Sequence, residues 1–246
     1  MELSNKNVFV TGSTRGIGLA IAHKFASLGA NVVLNGRSAI SEELLAQFAD
    51  YGVKVVAISG DVSDNADAKR MVDEAVAALG SVDILINNAG ITKDGMLHKM
   101  PEENWHAVIE TNLTSCFNMC RAVIAGMRER TYGRIINISS INGAKGQAGQ
   151  TNYSAAKAGM HGFSKALAQE LASKGVTVNT VSPGYVGTDM VRAIREDVLE
   201  KIVATIPVKR LGEPKEIASM VSWLASNEGG YATGAEFSVN GGQHMQ

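Results

Sequence analysis

NVFVTGSTRGIG, residues 7–18, passes from an apolar β-branched run through a glycine turn into residues at helical spacing. Asn7–Thr11 predicts a short buried strand. Gly16–Leu28 predicts a helix, because Ile17, Ala20, Ile21 and Phe25 recur on one face, and Gly29 stops it. The glycines at 12, 16 and 18 let the backbone turn tightly and approach a phosphate, and the helix start behind them favours an anion. The spacing is GxxxGxG, not the common dinucleotide fingerprint GxGxxG, so the strand–turn–helix setting carries the reading.

Outward from that turn the same alternation repeats. Strands are predicted at Asn31–Asn35, Val53–Ile58, Val82–Ile86, Gly133–Ile138, Val176–Val181 and Glu236–Val239. Helices are predicted at Ser41–Asp50 with Ser41 as N-cap, and at Asp64–Leu79 closed by Gly80. Further helices are predicted from Pro101 to about Met127, at Thr151–Ser173 and at Pro214–Ala225, with short helices across Asp189–Thr205. Continuous apolar strands between helices imply a mostly parallel sheet covered on both faces. The expected fold is α/β: a doubly wound, Rossmann-like, seven-stranded sheet in a single domain over residues 1–246.

Composition narrows the classes of function. The chain has 246 residues, 45% hydrophobic and 19% charged, with a net charge of −1. No basic run or acidic tail points to nucleic acid or a membrane surface. No apolar run reaches the ~20 residues of a membrane span, and no leader precedes the first strand, so a soluble, reducing, cytoplasmic setting is expected. The two cysteines, Cys116 and Cys120, fall four apart on a predicted helix and read as small core or subunit-contact residues. They lack further ligands at usable spacing, so no metal is expected. None of the five histidines (His23, His98, His106, His161, His244) pairs with a nucleophile in a recognisable arrangement.

In a doubly wound sheet, ligands sit at the carboxyl ends of the strands. Gly12, Arg37, Asp61, Asn87, Ser140 and Pro183 follow the first six predicted strands. An acid after the second strand would bind a ribose 2′-hydroxyl, but the segment reads Asn35-Gly36-Arg37-Ser38. Arg37, with Arg15 in the glycine turn, suits a 2′-phosphate instead and favours NADP(H). Asp61 is placed to contact the adenine amino group, and Asn87-Asn88-Ala89-Gly90 to pack against the adenosine ribose. Ser140, Tyr153 and Lys157 form a further group. Tyr153 and Lys157 share a helix face, and a neighbouring ammonium favours the phenolate of a tyrosine that normally titrates near ~10. The group reads as a proton-transfer device.

TGSTRGIG at 11–18, NNAG at 87–90, Asn112, Ser140, YSAAK at 153–157 and PG at 183–184 together resemble the short-chain dehydrogenase/reductase family across essentially the whole chain. Within it, residues 90–100, 142–154 and 182–212 and the ending NGGQHMQ most resemble acetoacetyl-CoA reductases. The 3-oxoacyl-(acyl-carrier-protein) reductases come next. The resemblance implies a catalytic set. Tyr153 would protonate the substrate carbonyl oxygen, and Ser140 would hydrogen-bond it. Lys157 would lower the tyrosine pKa and bind the nicotinamide ribose, and Asn112 would hold a water that relays protons to Lys157. The implied cofactor contacts are Gly12, Ser13, Thr14, Arg15, Gly16, Ile17, Gly18, Arg37, Gly60, Asp61, Val62, Asn88, Ala89, Gly90, Ile91, Tyr153, Lys157, Pro183, Gly184, Tyr185, Val186 and Thr188. The implied acyl-CoA (or acyl-carrier-protein) thioester contacts are Asp94, Lys99, Ser140, Gln147, Ala148, Gly149, Gln150, Tyr185 and Arg195. Alanine at 148 departs from the bulky aromatic expected there and leaves a roomier pocket. The resemblance also implies a homotetramer and a substrate lid at 186–212.

Overall fold

A computed structural model describes residues 3–245, so residues 1, 2 and 246 of the expected 1–246 domain lie outside the described residues. Seven strands form one parallel sheet: β1 (Asn7–Val10), β2 (Asn31–Gly36), β3 (Val55–Ser59), β4 (Ile84–Asn87), β5 (Gly133–Ile138), β6 (Val176–Pro183) and β7 (Glu236–Val239). Their order is β3-β2-β1-β4-β5-β6-β7, with every pairing parallel. The expected doubly wound α/β fold is therefore the fold observed. Strand order reverses between β1 and β4, where Val8 pairs with both Val32 and Ile84. That reversal opens a crevice at the carboxyl ends, and the chemistry gathers there.

Successive strand residues point to opposite faces, and the core divides accordingly. Val8, Val10, Ile84 and Ile86 join α1 (Gly16–Ser27) and the late helix Pro214–Ala225 on one face. Phe9, Val33, Leu85 and Ile135 join α3 (Asn65–Leu79) and the helices over 115–129 and 151–171 on the other. Helix α3 begins at Asp64, whose side chain accepts from the Asp67 amide, and ends at Gly80 with φ +89. Both boundaries are legible as cap chemistry.

Three predicted helices take a different form. Ser41 does cap α2 (Glu42–Ala46), accepting from the Leu44 amide, but the helix does not run to Asp50. It tightens into a 3-10 turn at Ala49–Tyr51, which buries Phe48 against the His23 ring at 4.2 Å. The long helix starts after Pro101 as α4 (Glu102–Ile109), passes through a π-helical turn at Glu110–Thr114, and continues as α5 (Ser115–Glu129). The 151–173 helix is α7 (Thr151–Leu171), ending in a 3-10 turn. A short helix, α6 (Ile141–Lys145), stands between β5 and α7 with no periodic pattern in sequence to announce it. Beyond β6 come α8 (Asp189–Arg192), α9 (Glu196–Thr205) and α10 (Pro214–Ala225), as expected. Among the described residues no helix is long and apolar enough to cross a membrane.

Candidate active site

The glycine turn is built by backbone closeness. Gly12 and Gly16 have φ of +61 and +57, where other residues are strained. A β-carbon on Gly18 would lie 2.3 Å from the Gly12 carbonyl oxygen and 2.4 Å from Asn88 Nδ2. That close approach lets Asn88 Nδ2 donate to the carbonyls of Thr11 (2.9 Å) and Gly12 (3.0 Å). Thr11 Oγ1 answers by accepting the amides of Asn88 (2.9 Å) and Ala89 (3.0 Å). The end of β4 and the turn after β1 are thus one rigid unit. Thr11 appeared in the motif only as its first letter, so this role was missed in sequence.

Ser13 is fully buried, and its hydroxyl accepts the Asn35 amide at 2.9 Å, so its side chain supports β2. Thr14 lies against Gly36, whose β-carbon would sit 2.8 Å from the Thr14 methyl. This contact brings Arg37 beside the turn that carries Arg15. Both arginines are exposed, and neither guanidinium has an ion pair or hydrogen bond among the described residues. Ile17 packs partly buried against the core. After β3, the Gly60 amide is bonded to the Gly36 carbonyl, and Asp61 Oδ1 accepts from Ser63 N (2.9 Å) and Oγ (2.6 Å). Val62 is buried, its carbonyl held by Asn118. Across the crevice, a β-carbon on Gly16 would meet the Thr188 methyl at 3.3 Å, so the turn and the chain after β6 face each other. Pro183 ends β6, and the Gly184 amide donates to the Val239 carbonyl. A narrow glycine turn at a helix start, with exposed cations beside it, fits the phosphates of a dinucleotide.

Ser140 caps α6, and its hydroxyl accepts the Asn142 amide at 3.2 Å. Tyr153 and Lys157 lie one turn apart on α7, with Lys157 Nζ 5.6 Å from the Tyr153 ring centroid. Lys157 is buried and donates to the Ile138 carbonyl at 2.7 Å. Burial pushes its ammonium down to about 8. Tyr153 departs from expectation: burial raises its pKa, the Ser140 hydroxyl works against that, and the Asp94 charge adds to it. The ammonium that was to favour the phenolate is itself desolvated and aimed at Ile138 O, so burial wins. Asn112 is fully buried in the π turn, and its side chain is spent on residue 91. It accepts from Ile91 N at 2.8 Å and donates to Ile91 O at 2.9 Å. A β-carbon on Gly90 would lie 3.3 Å from Asn112 Oδ1 and 3.7 Å from Lys157 Nζ, so all three meet. Gly143, which sequence did not single out, fixes the lysine: a β-carbon there would lie 2.9 Å from the Lys157 carbonyl carbon. Cys116, buried nearby, is pushed up to about 11 by desolvation.

Above this group, two loops are tied together. Gln150 Nε2 donates to Asp94 Oδ2 at 2.8 Å, and the Gly95 amide donates to the Gly149 carbonyl at 2.8 Å. Gln147 and Ala148 are exposed beside them, and Lys99 ends a 3-10 turn, Leu97–Lys99. Arg195 pairs with Asp197 at 3.0 Å instead of standing free. Residues 186–212 are pinned at their feet by a Val186–Gly212 bridge, and the Tyr185 carbonyl accepts the Gly212 amide.

A family model described as Enoyl-(Acyl carrier protein) reductase matches residues 12–244. Acetoacetyl-CoA reductase of Cupriavidus necator is 56% identical over 245 residues, covering 99% of this chain and 100% of that protein. Acetoacetyl-CoA reductase of Shinella zoogloeoides is 54% identical over 236 residues, covering 95% and 96%. A 3-oxoacyl-(acyl-carrier-protein) reductase of Escherichia coli is 46% identical over 246 residues, covering all of both chains. With a glycine turn at the strand reversal and Ser140, Tyr153 and Lys157 at the next strand end, the chain belongs to the short-chain dehydrogenase/reductase family of oxidoreductases.

Proposed function

We propose that this protein reduces acetoacetyl-CoA to (R)-3-hydroxybutyryl-CoA with NADPH. The observation that carries the reading is the Tyr153 phenol beside the Ser140 hydroxyl, with the buried Lys157 behind it. Family membership implies a nicotinamide cofactor, which supplies a hydride when bound. Arg15 and Arg37, both without a side-chain partner among the described residues, would hold the 2′-phosphate, and the Gly12–Gly18 turn would hold the pyrophosphate. Tyr153 is the general acid: a carbonyl gaining a hydride needs a proton donor, and a tyrosine carries its proton at neutral pH. Ser140 donates to the same oxygen, and Lys157 stabilises the phenolate left behind and reloads it. Two hydroxyls meeting at one point suit a carbonyl oxygen better than a carbon–carbon double bond. Asn112 keeps residues 90–91 in place beside Lys157.

The relatives named for acetoacetyl-CoA support the CoA thioester as substrate. The exposed, open wall at Ala148 favours a second reading, a 3-oxoacyl-(acyl-carrier-protein) reductase with a wider acyl range. Residues 186–212 act as a lid, and the working protein is a cytoplasmic homotetramer. Comparing kcat/KM for acetoacetyl-CoA and for the acetoacetyl carrier protein, with NADPH and NADH, tests the reading. Acetoacetyl-CoA with NADPH is expected to lead. Preference for the carrier-protein thioester would move the assignment to the second reading.

A further inference from the structure

Sequence gave no histidine a nucleophile partner, yet the fold assembles one such group beneath the site. His161 stands on α7 one turn after Lys157. Its Nε2 lies 2.9 Å from Ser139 Oγ, and its Nδ1 lies 3.2 Å from Glu236 Oε2 on β7. Ser182 Oγ, on β6, donates to Glu236 Oε1 at 2.7 Å. Ser139 and Ser182 are buried, and the His161 and Glu236 side chains are nearly so. The arrangement has the order of a hydrolytic triad but not its chemistry. Ser139 Oγ is enclosed and donates to the Lys157 carbonyl at 3.0 Å. It has no open path to a substrate.

A carboxylate only accepts, so Nδ1 carries a proton in both states of the ring. The Ser182 proton is committed to Glu236. Ser139 has one proton and, when the ring is neutral, two acceptors within reach: His161 Nε2 and Lys157 O. When the ring is charged, Nε2 becomes a donor to Ser139, and the Ser139 proton goes wholly to Lys157 O. The charged groups facing the ring are Glu236 from β7 and Lys157 and Lys165 from α7. β5 and β6 bring the hydroxyls of Ser139 and Ser182. Burial lowers the imidazole pKa, Glu236 opposes this, and the two lysines add to it.

We propose that His161, held by Glu236, is a positioning residue for the Ser140–Tyr153–Lys157 site, because its Nε2 decides how firmly the Ser139 hydroxyl grips the Lys157 carbonyl. This rests on the reductase reading for its kinetic consequence, but not for its structural one. Lys157 is fixed at three points: Nζ on Ile138 O, its carbonyl on Ser139 Oγ, and its backbone against Gly143. Only the second answers to a titratable group, and Ser139 directly precedes Ser140.

The test uses His161→Leu, and His161→Gln to keep a polar head if the leucine variant does not fold. In His161→Leu, kcat is expected to fall about tenfold with KM within about twofold, as for loss of one buried hydrogen bond in the transition state. In His161→Gln, most of the rate returns, but the wild-type change in kcat on acidification is absent. In the ligand-free protein, ring nitrogen NMR is expected to show the Nδ1-protonated tautomer. Titration of Lys157 by NMR, centred at about 8 in the wild type, is expected to move by about half a pH unit in His161→Leu. Wild-type kcat together with an unmoved Lys157 titration would overturn the proposal. If the wild type reduces no 3-oxoacyl thioester, the reductase reading falls, and the Lys157 titration alone decides this one.

Discussion

Strand β5 has a buried cation at each end, and the two are treated oppositely. Arg134, at the amino end, is 6% exposed. Its guanidinium donates to the carbonyls of Gly133 (2.9 Å), Gly175 (3.4 Å) and Ser226 (3.5 Å) and stacks on Tyr132 at 4.7 Å. Ser226 ends α10 and Gly175 ends the turn after α7, so the charge rests on helix C-termini, where the macrodipole favours a cation. Lys157, at the carboxyl end, is 3% exposed, and its ammonium donates, among the described residues, to Ile138 O. An ammonium has three donors. One cation is satisfied by the fold; the other is left with donors to spare and a pKa of about 8. The difference marks which end of the sheet is built to hold the chain together and which to meet a ligand.

The largest expected break in this comparison is Lys157→Met. Turnover of acetoacetyl-CoA should fall by about a thousandfold, the scale of a lost acid–base group. Stability should rise, because the drop from 10.5 to about 8 corresponds to ~3 kcal/mol of burial penalty at neutral pH. Between about 8 and 10.5 the unfolded chain binds more protons at this position, so wild-type stability should climb with pH there, and the variant's should not. Reduction should decline as pH rises through about 8, when Lys157 loses its charge. Denaturant midpoints across pH check the first statement, and the kcat profile checks the second. A variant less stable than wild type at pH 7 would contradict the contrast.

Arg134→Met is the counterpart. It strips donors from carbonyls at two helix ends and from the Tyr132 stack, and should cost ~2–4 kcal/mol of stability. The site lies at the other end of the strand, so kcat per folded molecule should stay within about twofold. Thermal melts paired with active-site titration separate the two effects. A large kcat loss at unchanged stability would place Arg134 in the chemistry.

The two ends also differ in how far they could be read from sequence. The glycine turn, the alternation of strands and helices and the Ser140–Tyr153–Lys157 group were legible, because each rests on a local pattern of residue type and spacing. What was not legible depends on distances between remote segments. Gly143 matters because α6 approaches α7 there, and His161 because β7 brings Glu236 to it, 75 positions on in the chain. The Tyr153 pKa was misjudged for the same reason: spacing identified the lysine neighbour, but burial set the direction. The π turn that seats Asn112 is not visible in the sequence, since a single wide turn of this kind is too short to show a period of its own.

Arg37→Asp sharpens the ligand-facing end. Arg37 directly follows β2 where an acid would sit, and it is exposed beside Thr14, with no ion pair among the described residues. Placing a carboxylate there removes a charge-assisted contact to a 2′-phosphate and offers an acceptor to a ribose hydroxyl. The ratio of kcat/KM for NADPH over NADH should fall by about thirtyfold. An unchanged ratio would move the discrimination to Arg15.

The smallest expected effect is at Ala148. The loop carrying it is held at both sides, by Gly146 and Gly149 at φ +72 and +81 and by the Gly95–Gly149 hydrogen bond, while Ala148 itself is exposed. A larger side chain there has room and narrows the entrance beside the Gln150–Asp94 pair. Ala148→Phe should leave turnover of acetoacetyl-CoA nearly unchanged and raise its kcat/KM relative to a six-carbon 3-oxoacyl-CoA by roughly tenfold, the low end of a methylene-sized steric difference. The measurement is a chain-length series on both proteins. If the wild type already rejects the longer thioester as strongly as the variant, selectivity lies in the 186–212 segment and not in this wall. Arg195, paired with Asp197 in that segment, is then the next residue to vary.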